Sequence, residues 1–187
     1  MALEANPPHS EDGASRQEQG STQARQYVTF TINSEEYGVD IMDVREIKGW
    51  THATRLPNAP SYVRGVINLR GLMLPIFDLR SRFGQGETDA SKTHVIVIVA
   101  VGSRTIGILV DAVSDILSIT QDQIRPAPEF EQGHEAAYLH GLVSVSERMV
   151  ALLALDRLFD LAGVREGILD AAVAEAVPQA AAQQAIA

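Results

Sequence analysis

The chain has 187 residues, 45% of them hydrophobic and 21% charged, the make-up of an ordinary soluble fold of one domain or two small ones. It has no cysteine, so disulfides, thiolate metal sites and cysteine nucleophiles are excluded. A net charge of −9 with aromatic residues at 5% leaves neither the basic footprint nor the stacking rings that nucleic-acid binding requires.

Residues 1 to 26 carry Pro7, Pro8 and several Ser and Gln without apolar periodicity, and predict a disordered tail. The opening MALEANPPHSEDG has no basic start and no apolar stretch, so no secretory signal is read there. The longest apolar run, Val95 to Val101, is cut by Gly102-Ser103-Arg104 well short of a membrane span. The expectation is a cytoplasmic protein without membrane insertion.

From Tyr27 the chain changes to short β-branched runs separated by turn residues. Strands are expected at Tyr27 to Ile32, Tyr37 to Ile41, Val63 to Leu69, Leu72 to Phe77, Thr93 to Val101, Thr105 to Val110, Val113 to Ile119, Gly141 to Val145 and Met149 to Leu155. Breaks such as Arg70-Gly71 and Ser146-Glu147-Arg148 suit hairpins between antiparallel neighbours. Three places read as short helices, each an Asp followed by a Gly: Asp43 with Val44 and Ile47 on one side before Gly49, Asp78 to Gly84, and Asp156 to Gly163. The folded part is expected over 27 to 162. The Ala-rich segment 163 to 187, interrupted by Pro178, reads as a partly helical tail.

The strands repeat. An offset of 69 residues sets Gly38 on Gly107, Val39 on Ile108, Glu46 on Asp115 and Ile47 on Ile116. An offset of 76 sets Tyr62 on Tyr138, Gly65 on Gly141, Ile67 on Val143 and Met73 on Met149. Two modules alternate twice along the chain, and two similar small barrels are expected.

No catalytic set emerges. None of the five histidines, His9, His52, His94, His134 and His140, pairs at i, i+4 with a Glu base as a zinc hydrolase requires. There is no Gly-x-Ser-x-Gly elbow, and neither Lys48 nor Lys92 follows a glycine as in a phosphate loop. Asp111, Asp115 and Glu46 read better as solvated edge or turn residues than as an acid and base. No enzyme, metal or cofactor is expected. Arg70 falls at a hairpin tip, where its guanidinium can fork onto a carboxylate of its own chain or of a partner; from the residues alone the better reading is a solvated turn arginine.

The runs EEYGVDI, VREIKGW, GVINLRG, PIFDLR, GILVDAVSDIL and QIRPAPEF, in this order, closely resemble the CheW family of chemotaxis coupling proteins, over about 27 to 162. The resemblance implies a mainly β fold of two SH3-like five-stranded barrels packed together as intertwined subdomains, with a few short helices. It also implies a non-catalytic adaptor between the cytoplasmic hairpin tips of chemoreceptors and the regulatory domain of the histidine kinase CheA, recruited to membrane-associated arrays. By resemblance, the receptor groove between the barrels falls at Val44, Glu46, Arg70, Val95 and Ile116. The kinase contacts fall at Trp50, Arg125 and Phe130. The other reading within the same fold is a coupler for a different chemosensory pathway, such as surface motility or development.

Overall fold

A computed structural model describes residues 23–127 and 137–160. Phe130 and most of the two expected tails lie outside the described residues. Each expected strand run forms a strand. In chain order these are β1 Arg25–Ile32, β2 Glu35–Asp40, β3 Val44–Gly49, β4 Val63–Leu69, β5 Leu72–Asp78, β6 Val95–Val101, β7 Arg104–Val110, β8 Ala112–Ile119, β9 Leu139–Val145 and β10 Arg148–Leu153. Helix α1, Leu79–Arg82, follows β5, and α2, Leu155–Asp160, follows β10. Asp78 caps α1 by accepting from the Ser81 N–H at 3.2 Å.

The exception is the expected helical turn opened by Asp43, where Val44–Gly49 form strand β3 instead. Val44 and Ile47 are three residues apart, a helical spacing, but a bulge gives the same result in a strand. Across the β3–β6 pair, Val44 faces Val99, Glu46 faces Ile98 and Ile47 faces Val97, so Arg45 is the extra residue. Val44 and Ile47 therefore point to the same side.

The first sheet runs β8-β1-β2-β10-β9 and the second β3-β6-β7-β5-β4. Taking β1 to β5 as one copy of the repeat and β6 to β10 as the other, the two orders are identical. Each sheet takes two strands from one copy and three from the other, so the barrels are exchanged rather than consecutive. The exchange is seen where the copies meet in parallel pairs. Gly38 faces Leu152 across β2–β10, and Gly107 faces Ile76 across β7–β5.

Each barrel is drawn in by a short bridge outside its strands. Thr54 exchanges two backbone hydrogen bonds with Val66 at 2.8 and 2.9 Å, and Arg125 exchanges two with Leu142 at 2.8 Å. The glycine before each partner allows that approach. A Cβ on Gly65, whose φ is +133°, would run into the Thr54 carbonyl, and one on Gly141 would crowd Ile124 and the Arg125 carbonyl.

Alternation along β1 and β6 sorts the core. Val28, Phe30 and Ile32 of β1 join Val97 and Val99 of β6 in a cluster shared by both sheets, with Leu158 and Phe159 of α2. Ile96 and Ile98 face the interior of the second barrel, and Tyr27 faces that of the first. The repeat-related Tyr62 and Tyr138 flank the guanidinium of Arg82, whose central carbon lies 5.3 and 4.7 Å from their ring centroids.

Candidate functional site

Arg70 and Gly71 are the two residues of the β4–β5 turn, with φ of 53° and 89°. Both lie in the left-handed region, as a tight turn matched to strand twist requires. The Gly71 N–H donates to Asn68 Oδ1 at 2.8 Å, which fixes the turn. This geometry holds the Arg70 side chain out, 80% exposed, and its Nη2 lies 3.2 Å from Glu46 Oε2 and 3.3 Å from Oε1. In the other barrel Ser146 and Glu147 form the equivalent turn, with φ of 47° and 67°. Neither of these two is an arginine; the neighbouring Arg148 opens β10 and pairs with Glu36.

The expected apolar groove residues divide between the sheets. Val44 and Val95 are half-buried against the shared cluster. Ile116 of β8 faces Val28, a member of that cluster, so it lies on the same side of the first sheet, and it is 52% exposed. Glu46 faces Ile98, on the barrel-interior side, and joins Arg70 instead of Val44. The counterpart of Ile116 at the offset of 69 is Ile47, which is 47% exposed on the side that Val44 shares. Ile47 is a candidate that the resemblance did not supply. The repeat pointed to it, but only the bulge shows which way it faces.

Trp50 and Arg125 are held apart. The Trp50 N–H donates to the His94 carbonyl at 2.9 Å, and its ring packs half-buried on the cluster inside the second barrel, 6.0 Å from the Arg64 guanidinium. Arg125 is tied by its backbone to β9 of the first barrel, and the residue is exposed. Phe130, the third expected kinase contact, is outside the described residues.

The three carboxylates weighed as an acid and base serve separate partners. Asp111 accepts from Arg80 Nη2 at 2.7 and 2.9 Å and from the Asn33 N–H at 2.7 Å. Asp115 accepts from the Ile116 N–H at 2.7 Å, and Glu46 takes Arg70. Among the described residues no group of three His, Asp or Glu side chains is placed to hold a metal ion, and no helix is long and apolar enough to cross a membrane.

Comparisons agree on one family. A family model described as the CheW-like domain matches residues 26–163. A chemotaxis protein CheW from Klebsiella aerogenes is 44% identical over 139 residues, 74% of this chain and 84% of its own length. A probable chemotaxis protein CheW from Rhizobium etli is 45% identical over 135 residues, 72% of this chain and 87% of its own. The crystal structure of the scaffolding protein TtCheW from Thermoanaerobacter tengcongensis is 33% identical with a TM-score of 0.67, covering 75% of this chain and 91% of that one.

Proposed function

This chain belongs to the CheW family of chemotaxis adaptors, and we propose that it works without catalysis, by holding a chemoreceptor hairpin tip and the regulatory domain of the kinase CheA together. Joining both partners on one small body raises their effective concentration and lets receptor state reach the kinase. The receptor surface is Val44, Glu46, Arg70, Val95 and Ile116, extended by Ile47. A helical hairpin would lie on its apolar side chains, with the Arg70 charge fixing orientation. The kinase surface is Trp50, Arg125 and Phe130.

The observation that carries the receptor half is the Arg70 side chain, 80% exposed beside the single carboxylate of Glu46. A strained tight turn that displays an arginine rather than Asn or Gly spends backbone freedom on a side chain that the barrel core does not use. Titration of the full chain, and of the Arg70→Glu and Phe130→Ser variants, against a receptor hairpin fragment and the CheA regulatory domain tests the reading. Arg70→Glu should lose the receptor alone and Phe130→Ser the kinase alone. Retention of both partners by both variants would refute the assignment.

A further inference from the structure

The second barrel carries a small cavity of about 160 Å³ lined by Trp50, His52, Ala53, Arg55, Arg64 and Ala90. Its titratable side chains are all basic, and no carboxylate lines it. That sets it apart in a chain whose net charge is −9. The volume is below the roughly 300 Å³ at which small-molecule pockets begin, and suits the end of a single side chain.

Arg64 gives the cavity its chemistry. Its side chain is only 16% exposed, yet the nearest carboxylate oxygens, of Asp78 and Glu87, lie 3.8 and 3.6 Å from Nη1, beyond hydrogen-bond reach. Among the described residues its guanidinium makes no hydrogen bond; it lies over the Trp50 ring, 6.0 Å from the centroid. A guanidinium carries five N–H donors in a planar fork, and one sunk this far without an acceptor is costly until a partner supplies it. Arg55 lines the same cavity, is exposed, and has no ion pair among the described residues. The bridge from Thr54 to Val66 pins its backbone against β4, the strand that carries Arg64.

The repeat shows that the barrel does not require this arrangement. The Thr54–Val66 and Arg125–Leu142 bridges are equivalent, so Arg55 answers to Pro126 and Arg64 to His140. At the offset of 69, Trp50 falls on Ile119, which is buried at 2%. The first barrel fills that place with a core side chain, whereas the larger Trp50 ring is half-buried and reaches the cavity.

We propose that this cavity takes a carboxylate, the end of an Asp or Glu side chain of a protein partner, held by Arg64 and Arg55 with its methylenes against Trp50. For the partner the proposal rests on the reading above, in which Trp50 meets the kinase, so the carboxylate belongs to the CheA regulatory domain.

The test reads the side-chain N–H signal of Trp50, the one tryptophan of the chain, in full-length protein. N-acetylglutamic acid N-methylamide should shift it saturably, and the neutral isostere N-acetylglutamine N-methylamide should not. Arg55→Gln, at an exposed position, should weaken that binding roughly tenfold or more, and should lower affinity for the CheA regulatory domain by a similar factor. Arg64→Gln should abolish the shift, and the exposed Arg55 keeps the test valid if that variant fails to fold. Equal response to both amides, or no saturable shift, would overturn the proposal whatever the kinase does. Tighter binding of inorganic phosphate at equal ionic strength would assign the cavity to a free anion and overturn it too. If the parent binds the regulatory domain and Arg55→Gln binds it equally well, the proposal fails while the adaptor reading stands. If the parent does not bind that domain at all, the adaptor reading fails and takes the proposed partner with it.

Discussion

Arg70 and Glu46 sit on elements at opposite ends of one sheet, and their side chains meet at 3.2 Å. The order β3-β6-β7-β5-β4 places β3 at one end and β4, which leads into the Arg70 turn, at the other. Their contact means that the sheet has rolled into a barrel. The pair spans the closure with its cation turned outward, so it can support both the closure and a partner. An exposed pair of this kind contributes roughly 0–1 kcal/mol to stability.

The first expected outcome follows from that exposure. Arg70→Glu sets two carboxylates side by side, but at a surface position its effect on stability should stay within about 0.5 kcal/mol. Denaturant unfolding of the variant checks this. A collapse of the transition would mean that the pair is needed for barrel closure and is not chiefly a contact for a partner.

Ile47 and Ile116, equivalent in the repeat and half-exposed beside the shared cluster, should act together. Replacing either with Ser should lower receptor-fragment affinity by about tenfold, in the range of an interface anchor. Stability should change by less than about 1 kcal/mol, since much of each side chain is already in water. Calorimetric titration and melting of each variant measure the two effects. Receptor binding unchanged in both variants would remove Ile47 and Ile116 from the surface.

The two glycines near the Arg70 turn make a contrast. Gly71 has φ of +89° with nothing near a Cβ, whereas Gly65 has φ of +133° and a Cβ there would strike the Thr54 carbonyl. Gly71→Ala should cost about 1 kcal/mol from backbone conformation alone. Gly65→Ala must also break the bridge to Thr54 and should cost about 3 kcal/mol or more. Equal unfolding midpoints for the two variants would show that the bridge contributes nothing.

Asp43 gives a pH dependence with a definite sign. Burial first, then the nearby charges of Asp40 and Asp156, raise its carboxyl above the ordinary 3.8, with Arg45 opposing. The folded state therefore favours the protonated form. The contribution to stability is fully present below the unfolded value and is lost as pH rises through the folded one. Asp43→Asn, neutral throughout, should melt above the parent at about pH 7 and together with it at about pH 3. Melting curves that run parallel over the whole range would contradict the shift.

The sequence and the structure agree wherever short-range chemistry decides. Alternating runs and turn residues located nine strands, and the offsets of 69 and 76 predicted which positions would be equivalent. The missing strand, β3, was hidden because a bulge at Arg45 imitates helical spacing, and only pairing with the distant β6 reveals it. That the barrels intertwine came from the resemblance, but which strands are exchanged was likewise beyond local pattern. Nothing around Gly38 says that its neighbour is Leu152, over a hundred residues further on. At the site, Arg70 was legible from its place at a hairpin tip. Its partner Glu46 was named with it by resemblance, but the reason they belong together is the closure of the sheet.

The claim at the centre is that receptor and kinase are held by separate surfaces of one small body. The most direct measurement is the pair of affinities of the Arg70→Glu variant, for a receptor hairpin tip and for the CheA regulatory domain, taken on protein whose melting temperature matches the parent. Receptor affinity should fall by roughly 2 kcal/mol while kinase affinity stays within about twofold. Equal loss of both, or parent-like receptor binding, would contradict the two-surface adaptor.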